Sequence, residues 1–199
     1  MIIKNVYEGV YKITGFDKVN FYFLDFEEKT LIDCGNRMNR DEINEKLSHL
    51  VDLGKVKKVI LTKINHETVG NFDLFPNAKF YAGEKAVNDY EKDPYASVQS
   101  RELLNDLNVS LTALPQGICF SDLEIIFTPG HTNGSICVWW KQGGIMFSGD
   151  TVLHLDRKVN ARGAVDMPTS RPELYDSSVE DIMKHPIKML APGHDWYAS

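Results

Sequence analysis

Three times this sequence runs an apolar strand into a tight turn that ends on a side chain able to bind metal, and no other feature constrains the fold as strongly. Leu123, Ile125, Ile126 and Phe127 lead through Thr128-Pro129-Gly130 to His131. Ile145-Met146-Phe147-Ser148-Gly149 leads to Asp150, and Met189-Leu190-Ala191-Pro192-Gly193 leads to His194. Proline and glycine end a strand because one lacks the amide donor and the other lacks a side chain to pack. A ligand-type residue just past such a stop is presented at a sheet edge, where a metal or a reacting group can be held.

The remaining periodicity supplies the sheets. Residues 6–13, 19–26 and 29–33 alternate or run apolar and predict strands, with Glu27-Glu28 as the hairpin between the second and third. Asn39 as an N-cap, Glu42 three residues on, and Ile43, Leu47, Leu50 and Val51 on one stripe predict a helix ending near Gly54. Residues 56–62 form the next strand, followed by the loop Lys63-Ile64-Asn65-His66-Glu67-Thr68-Val69-Gly70, a short helix at 72–75 and a strand at 78–81. The polar stretch 84–108, broken by Pro94, predicts two surface helices. Strands are expected again at 110–114, 118–120, 123–128, 135–140, 144–148 and 188–190. A capping box at Ser170 and Glu173 is expected to open a helix that turns Leu174, Val179, Ile182 and Met183 inward. This order of elements occurs roughly twice, which points to an α/β chain in one domain over residues 1–199: a four-layer αββα sandwich of two mixed β-sheets flanked by helices.

Charge and cysteine content narrow the function. The net charge is −6 and no run of Lys or Arg makes a basic stripe, so nucleic acid is not the expected partner. No apolar window is long enough to span a bilayer and the N-terminus carries no export signal, so a cytoplasmic protein without a membrane partner is expected. Cys34, Cys119 and Cys137 are three widely spaced cysteines in apolar surroundings, read as small buried thiols rather than a disulfide framework.

With the turns placed, the chain resembles the metallo-β-lactamase superfamily. The pieces that carry the resemblance are Asn20–Leu24, Leu31-Ile-Asp33-Cys-Gly35, Thr128-Pro-Gly-His131-Thr-Asn-Gly-Ser135, Phe147-Ser-Gly-Asp150-Thr and Pro192-Gly-His194, in this order over nearly the whole length. The resemblance implies the αββα fold and, for most members, metal-dependent hydrolysis. The family's His-x-His-x-Asp-His motif departs here: aligned on Thr62 and Gly70, its four ligand positions hold Lys63, Asn65, Glu67 and Thr68. What remains of the implied ligand set is His131, Asp150, His194 and Glu67, enough for one Zn²⁺, Mn²⁺ or Fe²⁺ at most. Asp33 is expected to orient the ligand loop from behind or simply to cap its turn.

Two functions stay open. In the first, one divalent metal at Glu67, Asp150 and His194, helped by His131, activates water on a small ester, thioester or lactone, with Asp150 and Glu67 as the catalytic carboxylates. In the second, no metal binds because Lys63 fills the pocket, and the chain is a small-anion binder or scaffold. The orientation of Lys63 separates them, into the pocket or out to solvent. His66 occupies a variable position and is expected to point away from the site, though a shifted loop would recruit it. His154 and Arg162 lie on the loop that follows Asp150, where each could face a ligand or make an ordinary surface contact. His49 is expected on the surface, His185 at a helix end, and Trp139 and Trp140 in the core.

Overall fold

The computed structural model describes residues 1–120, 122–154 and 167–195, and Arg162 lies outside them. Seven strands make the first sheet in chain order: β1 (Ile2–Tyr7), β2 (Val10–Thr14), β3 (Asn20–Leu24), β4 (Thr30–Ile32), β5 (Lys58–Leu61), β6 (Lys79–Gly83) and β7 (Leu111–Leu114). Its first four strands pair antiparallel and the pairs from β4 to β7 are parallel. Five strands make the second, ordered β12-β11-β10-β9-β8: β8 (Cys119–Phe120), β9 (Leu123–Phe127), β10 (Ile136–Trp140), β11 (Ile145–Gly149) and β12 (Met189–Pro192). Only β11 and β12 run parallel in it, so both sheets are mixed.

The period-two alternation of the strands decides the layers. On β10, Ile136, Val138 and Trp140 point between the sheets, where they meet Leu24, Ile32, Ile60 and Phe147. Cys137 and Trp139 point outward against Tyr175, Val179 and Ile182 of helix α6 (Tyr175–Met183). On the far face of the first sheet, Phe21, Phe23, Leu31, Val59 and Leu61 pack on Ile43 and Leu47 of α1 (Arg40–Ser48). Two sheets face to face with helices outside is the αββα sandwich.

Several local expectations are corrected. Residues 6–13 are not one strand, because Gly9, with φ +71°, turns the chain between β1 and β2. Asn39 does stand before α1, but its side chain accepts from the Phe16 amide and donates to Asp17, while Glu42 pairs with the Met1 ammonium. Tertiary partners thus take both groups of the expected cap, and α1 ends at Ser48 rather than near Gly54. The polar stretch 84–108 holds three helices, α3 (Glu84–Lys92), α4 (Pro94–Val98) and α5 (Arg101–Asp106), since Asp93 and Ser100 each start a new one as a side-chain N-cap. The Ser170 hydroxyl donates to the His131 carbonyl instead of capping, and α6 begins later, at Tyr175. Cys119 is exposed, while Cys34 and Cys137 are buried. Among the described residues no helix is long and apolar enough to cross a membrane.

Candidate functional site

The turns singled out in the sequence meet at one edge of the sandwich. The Ile136 amide donates to the Thr62 carbonyl at 2.8 Å and the Asn20 amide to the Gly193 carbonyl at 2.7 Å, so the two sheets are laced together there. Gly149 is required just before Asp150: its φ is +50°, and a Cβ would lie 2.6 Å from Thr62 Oγ1. Gly193 is required as closely, since a Cβ on it would stand 2.5 Å from Asp150 Oδ1. The glycines therefore let three chain segments close on a single carboxylate.

Lys63 stands at the centre of this edge, 3% exposed, and its ammonium donates to Asp150 Oδ2 and, at 3.2 Å, to Glu67 Oε2. His131 Nε2 lies 3.4 Å from the ammonium and 3.4 Å from Asp150 Oδ2. The other oxygen of Asp150 is 2.8 Å from His194 Nδ1, and His194 Nε2 is 3.4 Å from Glu67 Oε1. Two cations and two carboxylates thus alternate in a closed ring, with His131 against it.

Electrostatics follow from this ring. Burial disfavours the charge of Lys63, but the charges of Asp150 and Glu67 outweigh it and hold its ammonium above the ordinary lysine range. Burial likewise opposes ionisation of Asp150, and Lys63 and His194 overcome it, leaving the carboxylate well below the usual range. Against its own burial, Glu67 is held down to about 2 by His194 and Lys63. His194 is pushed up to about 10, its hydrogen bonds to Asp150 and Glu67 prevailing over desolvation. His131 goes the other way, to about 4, because burial and the neighbouring Lys63 charge both disfavour the imidazolium. It is therefore neutral, and its Nδ1 has no hydrogen-bond partner among the described residues.

The first sheet's loop has a different task. Asn65 caps helix α2 (His66–Val69): its side chain accepts from the amides of Glu67 and Thr68, while Thr68 Oγ1 accepts from the Asn65 amide in a capping box. The Asn65 side-chain amide also donates to Glu67 Oε2 at 3.2 Å and so steadies that carboxylate. The Asn65-x-x-Thr68 spacing is the sequence signal for this cap, obscured when both residues are read only as lost ligand positions. His66 is turned away from the ring, with Nδ1 3.2 Å from the Val98 carbonyl oxygen. Asp33, buried and at φ +61°, accepts from the Thr62 amide and hydroxyl, both at 2.8 Å. Burial dominates those bonds and pushes its carboxyl up to about 7. Asp33 thus anchors the residue before Lys63, and Ser170 anchors His131 through its carbonyl; neither role of Thr62 or Ser170 is visible in the local sequence. His154 and His49 are exposed, His185 packs edge-on against Trp139 with ring centroids 5.5 Å apart, and both tryptophans are buried.

These residues do not fit a divalent metal while Lys63 keeps its place. The lone pairs a cation would need, on both Asp150 oxygens and on Glu67, already receive the ammonium and the imidazolium. Two unit charges 4 Å apart interact by about 4 kcal/mol at an effective dielectric near 20, and a dication beside an ammonium would double that in repulsion. Among the described residues no group of three or more His, Cys, Asp and Glu side chains is arranged to hold a metal ion.

Comparison with known proteins places the fold. The family model described as the metallo-beta-lactamase superfamily matches residues 14–194. No curated protein matches. Similar solved structures include TTHA1623 in a di-iron-bound form, 22% identical with a TM-score of 0.69 over 93% of this chain and 92% of that one. Another is the metallo-beta-lactamase family protein TTHA1429 from Thermus thermophilus, 19% identical, TM-score 0.74, over 96% and 75% of the two chains. The metal-soaked Flv1 flavodiiron core from Synechocystis sp. PCC6803 is 17% identical with a TM-score of 0.72; the match covers 97% of this chain and 56% of that one. At such identities the shared property is the fold.

Proposed function

This chain belongs to the metallo-β-lactamase superfamily, and we propose that within it the chain is a non-hydrolytic member whose pocket is held together by Lys63 in place of a metal. The observation that carries this reading is the position of the Lys63 ammonium, bonded to Asp150 and Glu67 and beside His131. Buried carboxylates left unpaired cost several kcal/mol or take up protons, so a pocket without metals needs another cation. Lys63 and His194 supply it, and the ring is neutral as it stands. The ring serves as a scaffold that fixes the mouth of the pocket, where His194 and Glu67 are about a quarter exposed, at 28% and 25%. A small anion would meet the His194 imidazolium there.

One observation favours a second reading, a metal-dependent hydrolase of a small ester, thioester or lactone. His131, Asp150, Glu67 and His194 stand as pairwise neighbours even though they come from four separate segments. That chemistry requires Lys63 to leave the ring. Elemental analysis of the purified protein, before and after dialysis against Zn²⁺, Mn²⁺ and Fe²⁺, decides between them. The scaffold reading expects well under one equivalent of metal under every condition. Near one equivalent in the wild type, lost in Asp150→Ala, would overturn it and make ester and thioester screens the next step.

A further inference from the structure

The opposite edge of the first sheet gathers lysines that no stretch of sequence displays together. At the N-terminal ends of three neighbouring parallel strands, the Lys57 amide donates to the Lys29 carbonyl and the Lys79 amide to the Lys57 carbonyl, each at 2.9 Å. Lys58 is in register with Lys79, and Lys55 closes the row from the turn before β5. These five lysines surround a concavity of about 620 Å³, which Glu27, Glu28, Asn77 and Tyr81 also line. Lys29 pairs with Asp25, and Lys58 with Glu28. Lys55, Lys57 and Lys79 are exposed and make no ion pair among the described residues. The expectation that the chain has no basic stripe holds along the sequence and fails in space, because the lysines come from three separate segments.

Adjacent strands lie about 4.8 Å apart, and like charges set side by side across them destabilise a sheet. Ordinary solvated lysines are scattered or paired along a helix; these cluster at the N-terminal ends of three neighbouring strands, around a hollow, on a chain of net charge −6. A hollow of this volume falls in the range of small-molecule sites. Lysine ammoniums act on phosphate as point charges, and several of them favour several phosphates on one ligand.

We infer that this concavity binds a polyphosphorylated small molecule, with Lys55, Lys57 and Lys79 on its phosphates and the Tyr81 side against the remainder. Nucleoside and sugar polyphosphates share that chemistry. The site lies away from the Lys63 ring, so its test is independent of the function proposed above.

Titration calorimetry of the full chain at low salt, with tripolyphosphate, ATP and orthophosphate as probes, examines it. Tripolyphosphate is expected to bind at least tenfold more tightly than orthophosphate and to weaken as salt rises. Tighter binding of ATP than of tripolyphosphate would assign the Tyr81 side to a base or sugar; equal binding would assign recognition to the phosphates alone, and both support the inference. Lys57→Glu/Lys79→Glu should lose at least tenfold in affinity while melting within a few degrees of wild type. The charge-matched control Lys4→Glu/Lys141→Glu, exposed and elsewhere, should change it less than twofold. Absence of binding, equal loss in both double variants, or binding confined to a DNA oligonucleotide or poly-glutamate would each overturn it.

Discussion

The two sheets bring their turns to the same edge but contribute opposite things. From the second sheet come His131, Asp150 and His194, each delivered by the strand-turn pattern that the sequence repeats. From the first come a lysine and a capped helical turn, Lys63 and Asn65 to Thr68. One side supplies electron-pair donors; the other supplies the positive charge that engages them and a helix start that positions Glu67. A pocket's charge balance is thus maintained by whichever cation is present, covalently attached or not, and the donors alone do not reveal which.

The largest effect on this contrast is expected from Lys63→Ala, which leaves Asp150 and Glu67 with the His194 imidazolium as the one remaining cation of the ring. Removing one partner of a buried pair costs about 3–5 kcal/mol, to be read in denaturant melts. In the same variant Zn²⁺ should raise the melting temperature while leaving wild type unmoved; Zn²⁺ stabilising both alike would show that the first sheet does not block the second sheet's donors.

The pH profile of stability comes next. His194, raised to about 10, contributes stability that is fully present below pH 6.5 and is lost as pH rises through 10. His131, lowered to about 4, contributes stability present above 6.5 and lost as pH falls through 4. Asp33, raised from 3.8 to about 7, acts oppositely over nearly that window, favouring the folded state as pH falls. The two nearly cancel, so melting temperature should be almost level from pH 6.5 down to about 4. Below that, Glu67, held at about 2, and Asp150 lose their contribution together and stability drops. Between pH 7 and 9 the loss from His194 is at most about 1.4 kcal/mol per pH unit, and His194→Gln should abolish it there; above 9 the Cys34 and Cys137 thiols, both pushed up by burial, add to the fall. A steep fall between pH 6 and 5 would contradict the assignment.

Asn65→Ala removes the cap of α2 and should cost about 1 kcal/mol, with hydrogen exchange rising first at the amides of Glu67 and Thr68. His66→Ala should change stability by less than about 0.5 kcal/mol and leave metal content untouched; an effect as large as that of Lys63→Ala would put His66 inside the site after all.

Much of this was legible in sequence because it rests on local rules. Alternating apolar residues, prolines and glycines marked the strands and the turns ending at His131, Asp150 and His194, and changed residues marked the loop after Thr62. Local rules failed where distant partners competed for the same groups. Asn39, Glu42 and Ser170 fit capping patterns, yet their side chains serve Phe16, Met1 and His131. The hairpin at Gly9 was hidden because a turn that short interrupts the apolar pattern by hardly a residue.

By itself the sequence determined the sandwich and the three donor turns, since side-chain period and turn chemistry act within a few residues. Only the tertiary structure decided that Lys63 lies inside rather than in solvent, and that lysines from separate segments stand in one row. Both depend on distances between segments far apart in the chain, where Coulomb energy and desolvation act, and no local pattern carries that information.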